Sequence, residues 1–256
     1  MMELWLAFLA GLLIGSFLNV CVYRLPRDLS IVKPARSFCP HCEKTIAWYD
    51  NVPVLSFVIL GAKCRHCGAP ISWRYPAVEL ATGAAFAICA WTLGVTPLAI
   101  KFAIFAAIQI TLIASDFEER ILPDEFTLGG IVVGMAIAYF VPVSFESGWH
   151  SVVEAAIGAG VMSGMIWLVG WLYQKFRHRE GMGFGDVKML AMIGAFLGLR
   201  WAVMTLISAA FVGAIGGLIF IYAARKKAAE YELPFGSFLG IAALAVAVYS
   251  RYAMAG

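Results

Sequence analysis

Charge is what this chain has least of. Only 14% of its residues are Asp, Glu, Lys or Arg, where a soluble domain carries about 25%. Set against 62% hydrophobic residues and a mean hydropathy of +0.84, that shortage excludes an ordinary water-soluble domain. Histidine is scarce too. His41, His66, His150 and His178 are the only four, and none makes a convincing Ser-His or Cys-His pair for nucleophilic catalysis. Internal repeats and low-complexity tracts are missing, as are the short alternating segments of a membrane barrel. No nucleic-acid partner is expected. What remains is a series of apolar runs near the ~20 residues that carry a helix across a bilayer. The expected fold is therefore an all-α polytopic membrane protein with the lipid bilayer as its surroundings. About eight transmembrane helices are expected, near 4–23, 77–94, 98–115, 125–141, 151–173, 187–199, 202–222 and 235–253, the sixth being short.

The few basic residues are distributed unevenly. With these spans only Lys101, Arg200 and Arg251 fall on one side, and all other Lys and Arg fall on the opposite side. By the positive-inside rule the basic side is cytoplasmic and both termini are external. Glu3 stands in place of a basic start and no small-x-small site follows, so a cleaved signal peptide is not expected. The organisation reads as a first span (1–23), a polar loop domain (24–76) and a membrane core (77–256).

The polar loop is too small to build a large core and needs a staple. It holds two pairs, Cys39-Pro-His-Cys42 and Cys64-Arg-His-Cys67. Each Cys-x-x-Cys bites one tetrahedral metal, although the gap between them slightly exceeds the usual ~15–20 residues. Zinc held by Cys39, Cys42, Cys64 and Cys67 is the expected staple. Two disulfides are the alternative, disfavoured by a reducing cytoplasm. A four-cysteine site keeps no open position, so its zinc is structural rather than hydrolytic. Cys21 and Cys89 lie in apolar spans and read as small buried hydrophobes.

Two carboxylates stand at the ends of apolar runs, where a charge costs roughly 2.5–3.5 kcal/mol on insertion scales. Asp116 opens Asp-Phe-Glu-Glu-Arg-Ile-Leu-Pro-Asp, and Asp186 closes Gly-Met-Gly-Phe-Gly-Asp. Both fall at the cytoplasmic ends of their spans, a prerequisite for a dyad that shares a proton and splits a peptide bond with water. The bland alternatives are helix capping by Asp186 and, after Pro123, by Asp124. Asp116 has no such excuse, because it closes a helix whose dipole opposes it. On that ground Asp186 is expected to ionise first and Asp116 to hold the proton. Gly181, Gly183 and Gly185 permit a close backbone approach. A phosphate cradle is the weaker reading, since no strand or nucleotide-fold signature accompanies them.

Taken together, five segments resemble the type IV prepilin peptidases, over almost the whole chain. They are Gly15-Ser16-Phe17-Leu18-Asn19-Val20 with Tyr23-Arg24-Leu25-Pro26; the double Cys-x-x-Cys loop with Trp48-Tyr49-Asp50-Asn51-Val52-Pro53, running to Ile71–Leu80; Asp116 with Leu122-Pro123-Asp124; Gly181–Lys188; and Pro234-Phe235-Gly236. The resemblance implies an aspartic endopeptidase of the bacterial inner membrane, with its active site facing the cytoplasm. Such an enzyme removes the basic leader from type IV prepilins and pseudopilins after a glycine. Many members also methylate the new N-terminal residue with S-adenosylmethionine. The family's catalytic aspartates carry over to Asp116 and Asp186, and its zinc ligands to Cys39, Cys42, Cys64 and Cys67. Glu118 departs from the second aspartate that relatives often carry.

The methyl-donor pocket has no motif. A carboxylate suits a sulfonium cation, which makes Glu79 and Asp50 weak candidates; the alternative is that Glu79 anchors the second span or pairs with Arg74. Three rival readings are a methyltransferase with inert aspartates, a presenilin-like intramembrane protease, and a carboxylate-dependent transporter with a zinc-stapled docking loop. A transporter places its carboxylates near the midplane and often shows related halves, and neither is visible.

Overall fold

The computed structural model describes residues 1–144, 147–177, 183–224 and 234–255. Gly181 and Met182 of the glycine segment, His178, Arg179 and the basic run 225–227 lie outside the described residues. Among those described, the ordered elements are helices, with two isolated β-bridges in the polar loop. Among the described residues, five helices are long and apolar enough to cross a membrane.

The chain packs as two units, Met1–Ser115 and Asp116–Gly256. In the first, α1 (Met2–Arg24) lies along α3 (Arg74–Leu93). Membrane helices gain little from hydrophobicity against lipid and depend on close contact between small residues. Here a Cβ on Gly11 would sit 2.7 Å from the Gly83 Cα, and one on Gly15 2.8 Å from the Glu79 Cα. At the foot of α1, Arg24 is buried and gathers the start of the polar loop. Its guanidinium donates to the carbonyls of Ser30 (3.0 Å), Ile31 (3.2 Å), Pro34 (2.9 Å) and Arg36 (3.2 Å). A buried charge needs such partners. The five-residue α2 (Leu55–Ile59) follows within the loop, and its Phe57 ring stacks edge-on with Trp73 just before α3. The helix α4 (Pro97–Glu119) ends the unit and carries Asp116 over the boundary.

The second unit contains α5 (Asp124–Phe140), α6 (Trp149–Arg177), α7 (Phe184–Ala224) and α8 (Phe235–Ala255), with α7 packed on the other three. Met189, Leu190, Met192, Ile193, Ala195 and Phe196 are all buried, so the first part of α7 is the core of this unit. The expected sixth and seventh spans are one continuous element broken at Gly198, whose φ of 78° and ψ of 171° leave the helix. Only glycine adopts that backbone readily. Helices α6 and α7 cross where a Cβ on Gly158 would meet the Gly194 carbonyl oxygen at 2.5 Å.

Candidate functional site

The turn after Asp116 builds the site. Arg120 adopts a left-handed φ of 57°, and its N–H bonds the Asp116 carbonyl at 3.1 Å, which ends α4. The chain then runs extended through Pro123 into α5. This turn folds Leu122 back over the glycines. A Cβ on Gly185 would meet the Leu122 side chain at 3.2 Å, and a Cβ on Gly236 would meet both Leu122 Cδ1 and Asp116 Cγ at 3.1 Å. The Leu-Pro-Asp, Gly-x-Gly-Asp and Pro-Phe-Gly segments thus converge on one place.

Asp116 is buried, in the last turn of α4. Its Oδ2 accepts the Ser237 backbone N–H at 2.6 Å and the Ser237 hydroxyl at 2.8 Å. Ser237 lies in the first turn of α8, so the carboxylate meets the positive end of a second helix. Asp186 lies in the first turn of α7 and its N–H bonds the Gly183 carbonyl at 3.1 Å. Its Oδ2 faces Gly183, 3.5 Å from where a Cβ would stand. Asp124 is no N-cap: Pro123 takes that position, and Asp124, the first helical residue, pairs instead with Lys188 of α7. Lys188 is thereby drawn to Asp124, its ammonium also lying 5.1 Å from the Phe184 ring centre.

In the first unit the four Sγ atoms of Cys39, Cys42, Cys64 and Cys67 lie within 4.8 Å of one another. The two knuckles repeat one design. The Glu43 N–H bonds the Cys39 carbonyl (2.8 Å) and the Gly68 N–H bonds the Cys64 carbonyl (2.9 Å), with Glu43 and Gly68 both at positive φ. Cys39 and Cys67 Sγ stand 3.8 Å apart and all four cysteines are free, so no disulfide joins them. A tetrahedral ion at about 2.3 Å from each sulfur would set sulfurs about 3.8 Å apart, so the donor set fits zinc. The Cys67 and His66 amides draw the Cys64 thiol down to about 7. Cys67 goes up to about 11: the Ala69 amide pulls its thiol down, but burial and the neighbouring sulfurs outweigh it.

Asp50 and Glu79 already have partners. Asp50 accepts from Arg65 Nε (2.7 Å) and Nη2 (2.6 Å), which holds its carboxyl below the usual range and ties it to the second knuckle. Glu79 is buried and its Oε2 accepts the Val54 N–H at 2.7 Å, with Ser16 as a further partner. Val54 has φ 59° and ψ −48°, and the Leu55 N–H reaches the Pro53 carbonyl at 2.5 Å. That is a γ-turn of the rare, strained hand, on a β-branched residue. The Val54 and Ser16 contacts accord with the anchor anticipated for Glu79, beside the methyl-donor and Arg74-pairing roles. Sequence reasoning missed Ser237. Its only signal was its place directly after Pro-Phe-Gly.

Residues 9–93 match the family described as Bacterial Peptidase A24 N-terminal domain, and residues 103–218 the Type IV leader peptidase family. The chain is similar to a prepilin leader peptidase/N-methyltransferase of Myxococcus xanthus, 39% identical over 88% of this chain and 65% of that one. Proteins of the same name from Burkholderia pseudomallei and Klebsiella pneumoniae are 36% and 37% identical. These matches cover 93% and 79% of this chain, and 82% and 88% of the relatives. No solved structure matches.

Proposed function

Because the chain belongs to the Type IV leader peptidase family, we propose that it is a membrane-embedded aspartic endopeptidase of the bacterial inner membrane. It removes the leader from type IV prepilins and pseudopilins on the cytoplasmic side, and it N-methylates the new terminus. The observation that carries the protease reading is the gathering of Asp116, Leu122, Gly185 beside Asp186, and Gly236, on residues far apart in sequence.

The chemistry is acid–base hydrolysis without a covalent intermediate. The ionised carboxylate of the dyad takes a proton from a water as its oxygen bonds to the scissile carbonyl carbon. The protonated partner gives its proton to the carbonyl oxygen. The tetrahedral adduct collapses, the C–N bond breaks, and the amine nitrogen takes up a proton from the dyad. Placing the proton on Asp116 from its helix alone counts only the dipole of α4. The N-terminus of α8 offsets that dipole, and Oδ2, which accepts twice, has no room for a proton. The shared proton therefore belongs to Asp116 Oδ1 or to Asp186.

Zinc fits the four cysteines and would staple the loop, contributing to its folding. S-adenosylmethionine is the methyl donor that the relatives' name suggests; Asp50 and Glu79 are engaged by Arg65 and by Val54, and no step is assigned to either. The transporter reading is weaker, because both carboxylates sit at helix ends.

Asp116→Asn and Asp186→Asn test the protease. Each keeps the side chain's shape but cannot cycle a proton, so cleavage of a prepilin by the purified protein falls by at least about 10²–10⁴-fold. Near-normal cleavage by either variant, at matched protein level, sinks the mechanism.

A further inference from the structure

The geometry points to Ser237 as the positioning residue of Asp116, holding Oδ2 so that Oδ1 is the working oxygen of the dyad. The inference rests on the proposed catalytic role of Asp116 and goes beyond it, because it gives the two oxygens of one carboxylate different jobs.

Four observations carry it. Both donors come from one residue, the backbone N–H at 2.6 Å and the hydroxyl at 2.8 Å, and both end on the same oxygen. The N–H contact is short for its kind, and the hydroxyl contact has the ordinary O–H···O length. Both residues are buried, at 6% exposure for Asp116 and 5% for Ser237, so water competes poorly for the carboxylate. The Ser237 N–H also has the Pro234 carbonyl within reach at 3.2 Å, yet stands 0.6 Å closer to Asp116 (3.2 against 2.6 Å). Finally, the neighbouring Gly236 leaves room for this approach: a Cβ there would stand 3.2 Å from the same Oδ2.

Two donors on one oxygen do more than cap α8. One hydrogen bond leaves a carboxylate free to rotate about its Cβ–Cγ bond. Two from a single rigid helix turn fix its plane, and with it the direction of Oδ1. Either member of the dyad, base or acid, must present its working oxygen within a narrow range of angle, and a misplacement near 1 Å costs about 10²-fold in rate. The N–H belongs to the backbone and survives mutation. The hydroxyl does not, so the side chain is the part that can be tested.

The experiment is steady-state cleavage of a prepilin peptide by Ser237→Ala, Ser237→Thr and Asp116→Asn, with thermal unfolding of each. Ser237→Ala is expected to lower kcat about tenfold with KM within about twofold, as loss of one of two orienting bonds should. Ser237→Thr, which restores a hydroxyl on the same atom, is expected to recover most of the loss. Wild-type kcat in Ser237→Ala overturns the inference, as does a change confined to KM. Where Ser237→Ala lowers the unfolding temperature, the threonine variant decides. A variant equally stable to Ser237→Ala but active supports positioning, and equal losses in both overturn it. Activity in Asp116→Asn overturns the catalytic reading itself, a result separate from any outcome at Ser237.

Discussion

Asp116 sits where its own helix disfavours it, and its stability there is borrowed. The C-terminus of α4 opposes a negative charge by about 0.3–1 kcal/mol. Two hydrogen bonds from Ser237 offset this, at about 0.5–1.5 kcal/mol each to a neutral acceptor and more to an ionised one. The balance favours a buried carboxylate held by α8. Gly236 makes that possible, so Gly236→Ala is expected to push α8 or Leu122 away from the carboxylate and cut cleavage by about tenfold or more. Measured kcat in folded, membrane-inserted protein checks it; full activity would show that the approach is not needed. Asp124→Asn should cost far less, about threefold at most, because Asp124 pairs with the partly exposed Lys188 and such pairs contribute about 0–1 kcal/mol. The aspartates themselves were legible in the sequence because a charge beside an apolar run stands out. Ser237 was not, since a serine in a membrane helix carries no mark and its partner lies 121 positions away.

At the level of elements, helix positions followed the apolar runs, while ends and breaks followed local backbone chemistry that hydropathy does not see. The third span was expected to end at 115, yet α4 continues through Asp-Phe-Glu-Glu until Arg120 takes a left-handed φ. Charged residues are good helix formers, and polarity alone does not stop a helix. The break at Gly198 was expected near 200, and the short sixth span proved to be the buried first part of α7. Its packing against α6 depends on Gly158 and Gly194. Gly194→Ala would drive a Cβ into the Gly158 carbonyl, a contact with backbone that no rotamer relieves. The expected result is a lower unfolding temperature, with a cost of about 1–3 kcal/mol from overpacking. An unchanged unfolding temperature would mean that the two helices do not cross so closely. The four-cysteine cluster was legible for the opposite reason, because ligand spacing is local: each knuckle closes within a few residues. About one zinc per chain should copurify, and Cys39→Ser should lower that content by elemental analysis.

Across the whole molecule, the proposed site residues sort by unit. Asp116, Leu122, Asp186, Gly236 and Ser237 all belong to Asp116–Gly256, whereas the cysteines, Asp50 and Glu79 all belong to Met1–Ser115. In the first unit, Glu79 joins α3 to the strained Val54 turn, and Arg65 joins Asp50 to the second knuckle. A lesion there should spread through the loop before it reaches the aspartates. Cys39→Ser and Glu79→Gln are therefore expected to retain leader cleavage within about tenfold, while the second activity of the relatives, methyl transfer, falls further. Glu79→Gln is the sharper of the two. Its amide oxygen still accepts from Val54, but the charge is gone and only one acceptor oxygen remains for Val54 and Ser16. The measurement is the mass of the mature substrate after incubation with S-adenosylmethionine. A cleaved product lacking the methyl group places methyl transfer in the first unit, separate from the dyad. A cleaved and fully methylated product removes Glu79 from that chemistry and leaves it as the anchor of the turn. Loss of both activities at matched protein level would show that the peptidase unit depends on the first unit, contrary to the division drawn here.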